Sequence, residues 1–310
     1  MLRNLGRCMK NEKQKLVNTA LGKEMKTYIL TASCPSRAGT VDVVTRFLLE
    51  FECYIKELNS FDDTLNERFF IRAVFSVQNG QELNRAPFEA AFSARASEFD
   101  MDWELTPSDY RPKVVIMVSK YDHCLNDLLY RYRTGNLKVD IKAVISNHPD
   151  LQSLVEWHDI PYHHFPISAE TKPQQEALVQ SVLDETDCEL LVLARYMQVL
   201  SHDMCSRWSG RAINIHHSLL PGFKGAKPYH QAYNKGVKLV GATAHYVSDD
   251  LDEGPIITQG LETVDHTYYP EDLARKGLDV ESLTLGRAIQ YHVEKRVFMY
   301  NDKTIVFERS

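Results

Sequence analysis

Ala212-Ile-Asn214-Ile-His216-His217-Ser218-Leu-Leu-Pro221-Gly-Phe-Lys224-Gly225 opens as a β-like run in which isoleucines alternate with polar side chains. Residues two apart on a strand project from one face, so Asn214 and His216 stand together. Asp252 follows thirty-eight residues after Asn214, in Leu251-Asp252-Glu253-Gly254-Pro255, where Gly254 permits a tight turn. An amide, an imidazole and a carboxylate on a later loop suit attack on a carbonyl. Asn214 can donate two hydrogen bonds, and a protonated His216 two more. Aimed at a carbonyl oxygen they would stabilise the charge of a tetrahedral intermediate, at on the order of 3 kcal/mol per well-placed donor. Asp252 would hold His216 charged and accept a proton, directly or through one water.

Around this run strand and helix patterns alternate. Strands are expected at Val114–Ser119, Asp140–Asn147, Glu189–Ala194 and Ala212–Ser218, with helices at 122–133, 151–158 and 172–186 between them. Such alternation indicates a doubly wound, mostly parallel α/β sheet with helices on both faces. Ligands of such sheets lie beyond the carboxyl ends of the strands, which is where His216, His217 and the loop after Ala194 belong. Leu239–Ser248 and Ile256–Val264 read as a further β pair, Pro270 to about Arg296 as a long helix, and Arg296–Phe307 as a hairpin turned at Asn301-Asp302.

Two prolines in 107–113 mark a linker, and all twelve histidines lie beyond it, between His123 and His292. Residues 26–107 therefore form a separate domain, with 108–113 as the linker and 114–310 as the second domain. The first domain reads as strand 27–32, helix 41–52, hairpin strands 54–62 and 68–78, helix 87–99 and strand 102–106, a βαββαβ ferredoxin-like order. Residues 1–25 are rich in lysine and arginine, lack the apolar centre of a signal peptide and read as a flexible extension.

Composition narrows the classes of function. A net charge of −6 and a pI of about 6.1 give no basic field to recommend nucleic acid. No apolar stretch approaches the roughly 20 residues of a membrane span. Cys8, Cys34, Cys53, Cys124, Cys188 and Cys205 are scattered without a C-x-x-C pair, as reduced thiols of a cytoplasmic protein would be. No metal is expected, since adjacent His216 and His217 point to opposite faces of a strand, a poor arrangement for shared ligation.

The pattern Asn-x-His-x-Ser-Leu-Leu-Pro at 214–221, with Asp252 at its distance, resembles the folate-dependent formyltransferase family over about residues 112–265. The resemblance implies that Asn214, His216 and Asp252 are catalytic and that 10-formyltetrahydrofolate is the substrate, with no permanently bound cofactor. It also implies a pterin site with Arg195, Tyr196, Met197, Val199 and Leu200 on one wall. The other wall is Ser248, Asp249, Asp250, Leu251 and Gly254. The first domain resembles an ACT domain, a module that commonly binds an amino acid between paired copies. That likeness implies a glycine or methionine effector near Ser36, Arg37, Ala38, Gly39 and Asn59, and a homo-oligomer formed through this domain. Where related proteins often carry an acidic residue, this chain has Ser36.

Family members differ in acceptor. Glycinamide ribonucleotide transferases keep a glycine-rich turn after their first strand, where backbone amides hold a phosphate. The matching segment here, Val118-Ser119-Lys120-Tyr121-Asp122-His123-Cys124-Leu125, has no glycine. The transferases commonly have proline where this chain has His217, a residue able to orient water. With the ACT-like domain in front, the chain resembles the hydrolytic branch, whose reaction yields tetrahydrofolate and formate, balances the folate pool and supplies formate for purine synthesis. Two other readings are open at this point: transfer to an amine acceptor, and a regulator that binds folate or an amino acid without turnover.

Overall fold

The structure, a computed structural model, describes residues 26–78, 81–222 and 228–308. The expected extension at 1–25 lies outside the described residues. Two compact units divide the chain, Met1–Asp109 and Tyr110–Ser310.

In the first unit β1 (Thr27–Pro35), α1 (Thr40–Glu50), β2 (Cys53–Asp63), β3 (Arg68–Val77), α2 (Arg85–Ser97) and β4 (Asp102–Pro107) follow one another. The four strands form an antiparallel sheet in the order β2-β3-β1-β4. Val44, Phe47 and Leu48 share one face of α1, and Phe88 and Phe92 one face of α2, because each spacing is three or four residues. These faces close the core, with the Phe47 ring edge-on to Phe88 at 5.0 Å and to Phe92 at 4.9 Å. Gly39 starts α1 from φ 90°, a conformation glycine enters without a Cβ penalty.

The second unit is built on a seven-stranded sheet. Its elements are β5 (Lys113–Val118), α3 (His123–Arg133), β6 (Asp140–Ser146), α4 (Gln152–Glu156), β7 (Tyr162–His164), α5 (Lys172–Glu185), β8 (Leu190–Leu193), α6 (His202–Arg207), β9 (Ala212–His216), α7 (Pro228–Lys235), β10 (Leu239–Tyr246), β11 (Ile256–Thr263), α8 (Pro270–Val293) and the hairpin β12 (Val297–Tyr300) with β13 (Lys303–Val306). The order is β11-β10-β9-β8-β5-β6-β7. β7, β6, β5, β8 and β9 run parallel, and β10 and β11 add an antiparallel edge.

β5 explains the two-layered cover. Val114, Ile116 and Val118 enter one core cluster with Val280, Leu285 and Ile289 of α8. Val115 and Met117 enter another with Val179, Val182 and Leu183 of α5. A strand buried on both faces has to be apolar throughout, which is why Lys113–Val118 shows no alternation after its first residue. β9 is different. Ile213 and Ile215 join the α8 side, so Asn214 and His216 face the α5 side.

Candidate active site

The carboxyl ends of β8 and β9 supply two parts of the site. The chain leaves β8 through Arg195, at φ 64°, and Ser119 accepts a hydrogen bond from the Met197 amide at 3.0 Å, which fastens the loop to the end of β5. β9 ends on His216. The third part arrives from the opposite direction. Because β10 is antiparallel to β9, Val247 donates to the Ala212 carbonyl, at the far end of β9 from His216. The loop after β10 must therefore fold back along the sheet to return Asp252 to His216. Asp252 takes φ 59° in doing so. Gly254 is not the left-handed residue of this loop. An added Cβ there would stand 1.8 Å from the Tyr246 carbonyl oxygen, so it is close backbone approach that demands glycine.

A cavity of about 520 Å³ opens between these segments. Arg195, Tyr196, Met197, Val199 and Leu200 border one side, Ser248, Asp249, Asp250 and Leu251 the other, and Asn214, His216, His217 and Asp252 meet there. Of the residues expected at this site, Gly254 alone stays out of the cavity wall, for it is packed under Tyr246. Met197, Val199 and Leu251 are exposed apolar side chains at the cavity, a lining suited to a flat ring system. Tyr196 and Arg195 are both buried. The Tyr196 hydroxyl accepts a bond from Gln175 at 3.0 Å, and Arg195 turns away towards Glu281.

His216 Nδ1 lies 3.1 Å from Asp252 Oδ2. Burial pushes the Asp252 carboxyl up, but the hydrogen bond from His216 and the neighbouring imidazoles outweigh it and hold the group below the usual carboxylate range. His216 Nε2 is buried and has no hydrogen-bond partner among the described residues. His217, just past the end of the strand, brings its ring to 4.9 Å from that of His216, and both border the cavity. Burial, then the charges of Arg195 and His216, push His217 down to about 4, so it is a neutral imidazole at physiological pH.

His245 carries a role that sequence reading missed. It stands opposite Asn214 in the β9–β10 register. Its Nδ1 lies 2.8 Å from the Tyr246 carbonyl and must donate there, which leaves Nε2 as an acceptor for the Asn214 amide at 3.2 Å. Burial lowers the His245 pKa and keeps the ring neutral, consistent with that tautomer. One N–H of Asn214 is thereby committed, and the other remains for a ligand. Only strand register identifies this pair, since His245 lies thirty-one residues away in sequence.

A second cluster adjoins His217. Glu281 of α8 is fully buried; it accepts from His123 Nε2 at 2.8 Å and the Tyr229 hydroxyl at 2.9 Å, with Arg195 Nε 3.3 Å away. His123, Cys124 and Glu281 are close enough to converge on a cation. The carboxylate is already engaged by His123 and Tyr229, and burial pushes the Cys124 thiol up. In the first unit, the Ser36 hydroxyl donates to Asp62 at 2.5 Å, and Arg37 donates to the Glu98 carbonyl and stacks over Phe99. Asn59 Oδ1 is buried without a partner among the described residues.

Comparison with known proteins gives this geometry a context. The formyl transferase family matches residues 112–289. A Corynebacterium sp. (strain P-1) protein named formyltetrahydrofolate deformylase is 50% identical over 283 residues, 91% of this chain and 99% of its own length. The crystal structure of a formyltetrahydrofolate deformylase from Pseudomonas putida KT2440 has 60% identity and a TM-score of 0.84, over 91% of this chain and 100% of that one. Glycinamide ribonucleotide transformylase 1 from Symbiobacterium toebii has 27% identity and a TM-score of 0.61, over 64% of this chain and 95% of its own.

Proposed function

This chain belongs to the formyl transferase family and, within it, to the formyltetrahydrofolate deformylases, and on that premise we propose how its residues perform the reaction. It is a hydrolase that converts 10-formyltetrahydrofolate to tetrahydrofolate and formate. The pterin lies between the Arg195–Leu200 and Ser248–Asp252 segments, with the formyl group at Asn214 and His216. Water adds to the formyl carbon, the free N–H of Asn214 and the His216 Nε2–H hold the developing oxyanion, and Asp252 takes up the proton that water loses. The C–N10 bond then breaks and N10 leaves with a proton. His217 is neutral and offers a lone pair to orient the water. One observation carries this reading: a buried His216 paired with Asp252, whose outer nitrogen, Nε2, has no partner among the described residues and belongs to a cavity-lining side chain.

Incubation with 10-formyltetrahydrofolate and no amine tests it. Tetrahydrofolate and formate are expected in equal amounts; turnover that waits for an added amine would overturn the hydrolase.

The finer assignments rest on less. The βαββαβ order, and an Asn59 Oδ1 buried without a partner among the described residues, support an ACT-like module at 26–107 that pairs with a second copy and takes an amino acid such as glycine or methionine. Calorimetric titration of the whole protein with amino acids is expected to show one that binds; silence across the set would remove the effector. Cys34, Cys53, Cys124, Cys188 and Cys205 are free and buried, which suits a reducing cytoplasm. No helix among the described residues is long and apolar enough to cross a membrane.

A further inference from the structure

The fold is shared by proteins named as transformylases of an amine and as deformylases, so something in this chain excludes the amine. In open α/β sheets the ligand crevice lies outside the carboxyl ends of the strands. Here one part of that crevice is the folate cavity, on the side of β9 that Asn214 and His216 face. The other part lies past His217, where the described residues leave a cavity of only about 20 Å³, bordered by His217, Ser218, Tyr229 and Ala232. His123 comes from the start of α3, Arg195 from the end of β8 and Tyr229 from α7, and these three meet at Glu281, with Tyr121 beside Arg195. The Arg195 guanidinium lies 4.9 Å from the Tyr121 ring centroid, and Tyr229 reaches to 6.4 Å from the His217 ring. Tyr229 is also seated from behind, since a Cβ at Gly277 would lie 1.7 Å from its hydroxyl oxygen. Burial works against the charge on Glu281, but the His123 hydrogen bond, the Arg195 charge and the Tyr229 hydroxyl hold it ionised. A buried, ionised and multiply bonded hub of this kind is costly to open, since removing one partner strands the others.

We propose that the Glu281 cluster determines the acceptor: Tyr229 and its neighbours fill the approach to the formyl carbon on the His217 side, admitting water and excluding amines. The proposal rests on the hydrolase reading above. In a variant with that approach opened, an amine nitrogen bonds to the formyl carbon, the C–N10 bond breaks, and one proton passes from the amine to N10.

The test measures the partition of the formyl group. Wild type, Tyr229→Phe, Tyr229→Ala and His123→Ala are each incubated with 10-formyltetrahydrofolate and increasing hydroxylamine or glycinamide, and formylated amine is compared with formate. Wild type and Tyr229→Phe, which keeps the ring, are expected to give formate at every amine concentration. Tyr229→Ala is expected to raise the formylated-amine fraction at least tenfold, in proportion to the amine. His123→Ala opens the same side from α3 and is the arm to read if Tyr229→Ala does not fold. A merely structural role would lower the rate without moving the product ratio. The proposal is overturned if a folded, active Tyr229→Ala or His123→Ala keeps the wild-type ratio, or if wild type transfers to amines equally well. Wild type inactive without amine would instead remove the hydrolase reading.

Discussion

Replacing Asp252 by asparagine separates chemistry from binding. Asparagine tolerates the left-handed conformation that Asp252 adopts at φ 59°, so the loop is expected to keep its path, whereas alanine would add backbone strain. The substitution leaves a group of the same size beside His216 Nδ1 and removes the charge. A hydrogen bond to a charged group contributes about 1.5–3 kcal/mol and a neutral one about 0.5–1.5 kcal/mol, so support for a charged His216 weakens by roughly 1–2 kcal/mol. That corresponds to about a five- to thirtyfold loss in rate. Losing the proton acceptor costs about 10²–10⁴ more, as general-base catalysis typically contributes. Together kcat is expected to fall by roughly 10³–10⁵. Single-turnover formate release gives the rate, and titration with a non-hydrolysable folate analogue gives Kd, which should stay within about threefold because Asp252 stands at the reacting end of the cavity. A fall in kcat below tenfold, or a Kd that weakens as much as kcat, would refute this role.

Three further outcomes follow from the same geometry. Asn214→Ala removes an oxyanion donor and should lower kcat by about 10²–10³ with little change in KM; a loss below fivefold would deny it that function. His217 has a folded pKa of about 4 against an ordinary 6.5, so the folded state binds fewer protons. Its contribution to stability is full above about pH 6.5 and drains away as pH falls towards 4, by on the order of 2 kcal/mol between pH 7 and 5. Denaturant unfolding at those pH values should show a flatter profile for His217→Gln, and identical slopes would contradict the burial. Gly254→Ala sets a Cβ against the Tyr246 carbonyl and should cost about 2–3 kcal/mol along with activity, as Tm and formate release would report; a wild-type Tm would refute the close approach.

Much of the fold was legible because its signals are local. The unbroken apolar run of β5 and the helical spacing of Val44, Phe47 and Leu48 each reflect one buried surface. The short helices α6 and α7 were not expected. α6 is six residues long, too short for a periodic pattern to accumulate, and its boundary depends on a cap in which Ser201 accepts from the Met204 amide. That Asn214, His216 and Asp252 meet at one cavity could be expected because their pattern is read along the chain. His245 could not, because its meaning depends on an antiparallel register between β9 and β10. Glu281, Tyr229 and His123 come from three separate helices and share no spacing at all. Gly254 was assigned to the right loop for the wrong reason, since sequence signals a glycine without saying whether conformation or crowding requires it.

The contact between Asn214 and His245 has a consequence for how the site responds to acid. Its polarity begins at a main-chain oxygen: the Tyr246 carbonyl fixes the proton on His245 Nδ1, the lone pair on Nε2 then fixes the amide of Asn214, and the amide presents its remaining hydrogen to the substrate. No member of that relay changes charge near neutrality. The opposite arm sets His216 Nδ1 3.1 Å from the Asp252 carboxylate. On the proposed reading the site thus combines a donor oriented by the main chain with one oriented by a carboxylate. A change of pH across neutrality should therefore leave the orientation of the Asn214 amide as it is.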